Sequence, residues 1–230
     1  LILHTNGNSC CATWSVRATI VTLSVYHLLV LPGKNIFFHT NPWPLKYADS
    51  IYFFLIILLA LHRSNLKELG FSVKGLKRSL FIGSASGGVL VFSLFLLDLC
   101  IDSTGMANHD LFKNQPNLTI SSEKNSIIQY AGLVLVIPLI EQIFFTGIIY
   151  QSIHKKTSPI LAIYASGIIY SLAGYKLSLG SFGLGFTPSF LFKTTKTIYA
   201  SIIFHVSCAV GEIMIKTIYP RLNTFLGFLF

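Results

Sequence analysis

The stretch LFIGSASGGVLVFSLFLLDLCI, running from Leu80 to Ile101, decides how the rest of the chain is read. Its one ionisable side chain is Asp98, near the far end. A helix needs about 20 predominantly apolar residues to cross a bilayer, and this stretch supplies them. Two others do the same: Ile127–Tyr150, interrupted by Pro138, and Thr197–Ile215. Four weaker candidates complete the set. Thr19–Leu31 extends backwards only if Arg17 snorkels. Ile51–His62 is short but intensely apolar and can begin earlier, near Tyr47. Pro159–Gly174 opens on a proline, a good first helical residue. Leu179–Phe192 is rich in glycine and broken by Pro188. The pattern predicts an all-α fold, a polytopic transmembrane bundle of about six to eight helices, read as one membrane-embedded domain over residues 1–230.

Composition agrees. Of 230 residues, 53% are apolar and 11% charged, and the mean hydropathy is +0.67. Soluble domains carry about 25% charge. The 19 phenylalanines outnumber the eight acids, so the chain cannot cover a water-facing surface. That excludes a soluble globular enzyme and a disordered chain. The high apolar fraction favours helical spans over the alternating strands of a barrel.

The net charge is +9. Lys and Arg sit in short loops beside apolar runs, where the positive-inside rule explains them better than nucleic acid does. The loop from Arg63 to Arg78, with Lys67, Lys74 and Lys77, is placed in the cytoplasm. Alternation then puts Lys155, Lys156, Lys193 and Lys196 on the same side, with the N-terminus. The long outer loop Asp102–Ser126 holds three acids and two lysines. Asn117 opens a glycosylation sequon, a tripeptide common by chance, and is given no weight. The expected partner is the lipid bilayer, and no nucleic acid.

Cys10, Cys11, Cys100 and Cys208 have no zinc-type or redox spacing, and the last two read as inert small hydrophobes. No cleavable signal peptide is visible, and no lipobox before Cys10. The chain begins at Leu1, which fits a fragment or an alternative start codon. It ends in the short apolar run Phe225–Phe230, which fits an incomplete terminus or an interfacial one. Gly83, Gly87 and Gly88 form a small-residue patch suited to close helix packing within the bundle. No internal repeat is evident, which weighs against inverted-repeat transporters.

Ionisable groups inside spans are costly and point to function. Glu141 lies in the cytoplasmic half of its span, His205 is mid-span, and Glu212 follows His205 by seven residues on the same face. Asp98 reads as an interface residue, and His27 falls in the weakest span. Gln142 and Thr146 are spaced to meet on one helical face, while Glu141 points about 100° away. A carboxylate and a histidine from two helices are the minimum set for activating water. The bland alternative is a protonated or hydrogen-bonded Glu141 and a satisfied, packing His205. The functional reading expects the two to face one another across a polar cavity open to the cytoplasmic side.

These residues carry a resemblance. Pro138-Leu-Ile-Glu141-Gln142-Ile-Phe-Phe145-Thr146-Gly147 resembles the first motif, Glu-Glu-x-x-Phe-Arg-Gly, of the CAAX-protease and bacteriocin-processing (CPBP or Abi) membrane proteases. The family's second motif, Phe-x-x-x-His, falls at Tyr170-Ser-Leu-Ala-Gly174, and its third, His-x-x-x-Asn, at His205-Val-Ser-Cys-Ala209. The run from Lys193 to His205 and the segments Leu66–Phe71 and Leu76–Leu80 fit as well, so the family-like core covers roughly residues 60–215. The resemblance implies an intramembrane endopeptidase in which Glu141 is the base for water and His205 stabilises the oxyanion. Gln142, Phe145 and Thr146 would support them.

The departures are specific. Gln142 replaces the second Glu and Thr146 the Arg, so a buried ion pair has become a neutral polar pair. Losing only one partner would strand a charge at about 3–5 kcal/mol. Gly174 replaces the second-motif His and Ala209 the Asn. Each such group is worth about 10²–10⁴ in rate. Tyr175, beside Gly174, offers a hydroxyl but no basic imidazole. Metal use in the family is contested. Glu141 and His205 give two ligands where catalytic zinc takes three, so no metal is assigned and the cofactor is left unknown. The expectation is a CAAX-type protease homologue with reduced or lost catalysis, in a bacterial inner membrane, engaging a membrane peptide or a prenylated C-terminal peptide. A non-catalytic peptide- or partner-binding protein is the alternative, and a small proton-coupled transporter using Glu141 is a second.

Overall fold

A computed structural model describes residues 14–37, 42–63, 65–104, 132–173 and 178–217. Cys10, Cys11, the Asn117 sequon, most of the loop after Asp102 and the Phe225–Phe230 run lie outside them. The described residues form seven helices and no strand. They are α1 (Val16–Phe37), α2 (Pro42–Arg63), α3 (Leu76–Ser103), α4 (residues 132–154), α5 (Pro159–Ala173), α6 (Leu179–Thr195) and α7 (Tyr199–Thr217). Three are long and apolar enough to cross a bilayer: α1, α3 and Val134–His154 of α4. Shorter apolar helices run over Tyr47–His62, Pro159–Ala173 and Tyr199–Ile215. The protein is an integral membrane protein built as a helical bundle.

Two helices differ from their reading in the sequence. Thr19–Leu31 reads as a weak candidate, extended backwards only past Arg17, yet α1 is a helix of 22 residues over Val16–Phe37. Thr19, Thr22 and Tyr26 face inward and are buried. Thr19 is hydrogen-bonded to Ser152 of α4 at 2.7 Å. Tyr52 of α2 donates to the Thr22 carbonyl at 2.8 Å. Nor does Pro188 break α6, which runs through it. A proline removes a backbone donor and crowds the preceding turn; around it Ser201 donates to Pro188 O at 2.7 Å and Ser189 to Gly185 O at 2.8 Å, tying α6 to α7 and to its own turn. Gly185 also lets α6 lie against α5, since a Cβ there would fall 2.7 Å from the Ser166 carbonyl oxygen.

The central helix is α4. Ile143–Tyr150 is a π-helical turn in which all eight residues are buried. No stripe of polar residues marks an outer face, because α2, α5, α6 and α7 surround it. Phe53 of α2 stacks on Phe144 with centroids 4.4 Å apart. The patch on α3 is used inside the bundle: Gly83 faces Ala200 and Ile203, and Gly87 faces Ser207, all on α7. Asp98, near the far end of α3, is buried against the bundle.

The basic loops gather at one end. The Ile198 amide donates to the Gly70 carbonyl at 3.0 Å. This ties the 65–75 turn to the α6–α7 link. Glu68 and Lys155 interact electrostatically, as do His154 and the pair Lys193 and Lys196. Lys67, Lys74, Lys77 and Arg78 belong to the same end by sequence.

Candidate functional site

Glu141 and Gln142 close the α-helical part of α4, immediately before its π turn. Such turns are rare and are often found at functional sites. Here the wider turn still lets residues four apart meet. Thr146 Oγ1 donates to Gln142 Oε1 at 2.7 Å. The Gln142 amide then faces α7, with Nε2 2.9 Å from His205 Nδ1. In this arrangement Nδ1 accepts, so the neutral imidazole carries its proton on Nε2. That nitrogen lies 3.7 Å from Glu141 Oε2. Glu141 and His205 therefore face one another, from two helices.

A third helix completes the group. Tyr170 of α5 donates its phenol proton to Glu141 Oε2 at 2.5 Å. Its ring lies across His205 at 6.1 Å and against Phe145 at 4.7 Å. Phe145 in turn meets Phe53 at 5.2 Å. The chain of contacts is Thr146, Gln142, His205, Glu141, Tyr170. Gln142 and Thr146 are sealed from the surroundings, while the Glu141 side chain keeps 20% exposure. Glu212, two turns beyond His205, acts electrostatically on both His205 and Tyr170.

Toward the basic end the packing is closed. Gly147, next to Thr146, sits against the Leu69 carbonyl and the Ile198 side chain, both within 3.3 Å of where its Cβ would be. Leu69, Ile198, Phe144 and Ile148 belong to the largest apolar cluster.

Of the residues singled out in the sequence, the structure brings together Glu141, Gln142, Phe145, Thr146 and His205. Ala209 lies one turn beyond His205 on α7 and presents a methyl group. Gly174 and Tyr175 lie outside the described residues. The residue that sequence reasoning missed is Tyr170, read only as the opening of a motif that ends at Gly174. A tyrosine inside an apolar run, whose hydroxyl needs a partner, was the available signal. Among the described residues no group of three or more His, Cys, Asp or Glu side chains is arranged to hold a metal ion.

No curated protein and no solved structure matches the chain. A family model does match, over residues 123–211, and its description is Type II CAAX prenyl endopeptidase Rce1-like. That stretch spans every member of the contact chain from Glu141 to His205. Residues 123–211 are thus similar to the Rce1-like family, in keeping with the CAAX-protease and bacteriocin-processing family that the motifs resemble.

Proposed function

We propose that the chain is a homologue of the CAAX prenyl endopeptidases with reduced or lost catalysis. It would engage a membrane peptide or a prenylated C-terminal peptide at Glu141 and His205. The observation that carries this reading is the 3.7 Å approach of His205 Nε2 to Glu141 Oε2 inside the Rce1-like stretch. In a hydrolytic cycle Glu141 would take a proton from water as the water oxygen bonds to the scissile carbonyl carbon. The Nε2 proton of His205 would stabilise the resulting oxyanion. Glu141 would then pass its proton to the amide nitrogen as the C–N bond breaks.

The same cycle shows what is lacking. An oxyanion donor contributes about 3–4 kcal/mol. Ala209 and Gly174 bring no side-chain donor to places where the family's motifs carry Asn and His. One donor and one base remain, and losses of this kind are severe even though they do not add. The whole chain would act as one membrane domain in a bacterial inner membrane, with its basic end and N-terminus in the cytoplasm.

The test is an assay in native membranes with a prenylated peptide and a panel of small membrane proteins. Binding without turnover, weakened in His205→Ala, is expected. Turnover that disappears in Glu141→Ala overturns the loss of catalysis and makes the chain an active protease. Absence of any peptide binding overturns the binding role.

A further inference from the structure

The carboxylate oxygen of Glu141 that faces His205 is the one that Tyr170 holds. We propose that Tyr170 is a lock on Glu141: its hydroxyl engages the oxygen a substrate water would need and keeps the site in a binding, non-cutting state. This rests on the peptide-binding reading of the same site and says how that site is regulated.

Three observations support it. The contact is short, 2.5 Å, and lies in a site walled by buried side chains. Hydrogen bonds from a hydroxyl to a carboxylate at such distances are about twice as strong as neutral ones. A carboxylate already accepting such a bond is a weaker base toward water at the same oxygen.

The phenol is also fixed in place. Its ring is wedged between Phe145 and His205. The end of α5, three residues further on, is tied to α1: Tyr26 donates to the Ala173 carbonyl at 3.0 Å, and His27 Nε2 lies 3.3 Å from the Leu172 carbonyl. Moving the hydroxyl off Glu141 requires α5 or its aromatic neighbours to repack.

Finally, the opposite flank of the imidazole is committed. Gln142 occupies Nδ1, so Nε2 is the nitrogen left to face Glu141. A water bonded to His205 Nε2 and to the Glu141 oxygen facing it would share that oxygen with the Tyr170 hydroxyl.

The experiment uses the full chain in membranes and dicyclohexylcarbodiimide, an apolar reagent for buried carboxyl groups. The carboxyl oxygen bonds to the carbodiimide carbon and the carboxyl proton moves to nitrogen. Tyr170→Phe keeps the ring and removes only the hydroxyl. It should label at Glu141 about tenfold faster than the parent, as the loss of one charge-assisted hydrogen bond implies. Tyr150→Phe is the control, since the buried Tyr150 hydroxyl has no hydrogen-bond partner among the described residues; it should label as the parent does. Glu141→Gln should lose the label. Equal rates in Tyr170→Phe and the parent overturn the lock, and so does equal acceleration in both tyrosine variants. If Tyr170→Phe does not fold, the Glu141 carboxyl infrared band of the parent, assigned by its loss in Glu141→Gln, decides. A band shifted by hydrogen bonding supports the lock, and an unshifted one overturns it. Labelling uses no peptide, so failure of the lock and failure of peptide binding are read separately.

Discussion

Gln142 of α4 and Nδ1 of His205 on α7 meet at 2.9 Å in the interior of the bundle. This contact fixes which nitrogen of the imidazole is left for Glu141. The amide is itself oriented by Thr146, which donates to its oxygen. A glutamine that was expected only to neutralise a lost ion pair therefore sets the geometry of the candidate site.

Replacing it by leucine should leave the Thr146 hydroxyl and His205 Nδ1 without partners in a dry interior. An unsatisfied buried polar group costs about 1–3 kcal/mol. Gln142→Leu should lower the thermal midpoint in detergent and weaken peptide binding. An unchanged midpoint would mean the Gln142–His205 contact carries no stability.

Restoring the charged pair is a sharper trial. Thr146 is buried, so Thr146→Arg alone adds both volume and an unpaired charge. Breaking a buried pair costs about 3–5 kcal/mol, and overpacking about 1–3 kcal/mol. Gln142→Glu with Thr146→Arg removes the first cost and keeps the second. The double variant should yield more folded protein than Thr146→Arg alone, measured by size-exclusion chromatography. A yield equal to the sum of the two single losses would show that no pair forms.

The sequence displays α3 and α4 because their apolar runs are long, whereas α1 and α6 make side-chain contacts with partners far away in the chain. The Thr19 hydroxyl is satisfied inside the bundle by Ser152 and by the Ser15 carbonyl. Pro188 lies inside α6, where Ser189 and Ser201 add side-chain hydrogen bonds to the carbonyls of Gly185 and Pro188. Glu141 and His205 were legible as costly groups in dry spans. Tyr170 was not, because its hydroxyl has meaning only once α5 is laid against α4. The π turn over Ile143–Tyr150 leaves no periodic signal, since all its residues are buried.

The glycine patch on α3 separates into two kinds of position. A Cβ at Gly83 would fall 2.9 Å from the Ala200 carbonyl oxygen, whereas one at Gly88 meets nothing within 4 Å. Alanine is favoured over glycine in a helix by about 1 kcal/mol. Gly88→Ala should therefore be neutral or stabilising, and Gly83→Ala should lower the thermal midpoint by pushing α7 from α3. Equal behaviour of the two variants would mean α3 and α7 do not pack as described.

The link between α6 and α7 sets the register of His205, and it turns on Lys196. This residue has φ 60°, the one positive value among the described non-glycine residues. Its amide donates to the Phe192 carbonyl at 2.7 Å, closing α6. The chain then passes to Thr197, whose hydroxyl donates to Ser79 at 2.6 Å, and into α7. A side chain in the left-handed region costs about 1–2 kcal/mol. Glycine removes that cost but adds about 0.4–1 kcal/mol of unfolded-state freedom. The difference favours Lys196→Gly by about 0–1.6 kcal/mol, centred near 0.8 kcal/mol. Lys196→Val should do the opposite, because a branched Cβ is poorly suited to that conformation. Thermal unfolding in detergent should rank the variants Gly, parent, Val. A glycine variant less stable than the parent would mean that the Lys196 side chain makes an interaction worth more than the strain it imposes.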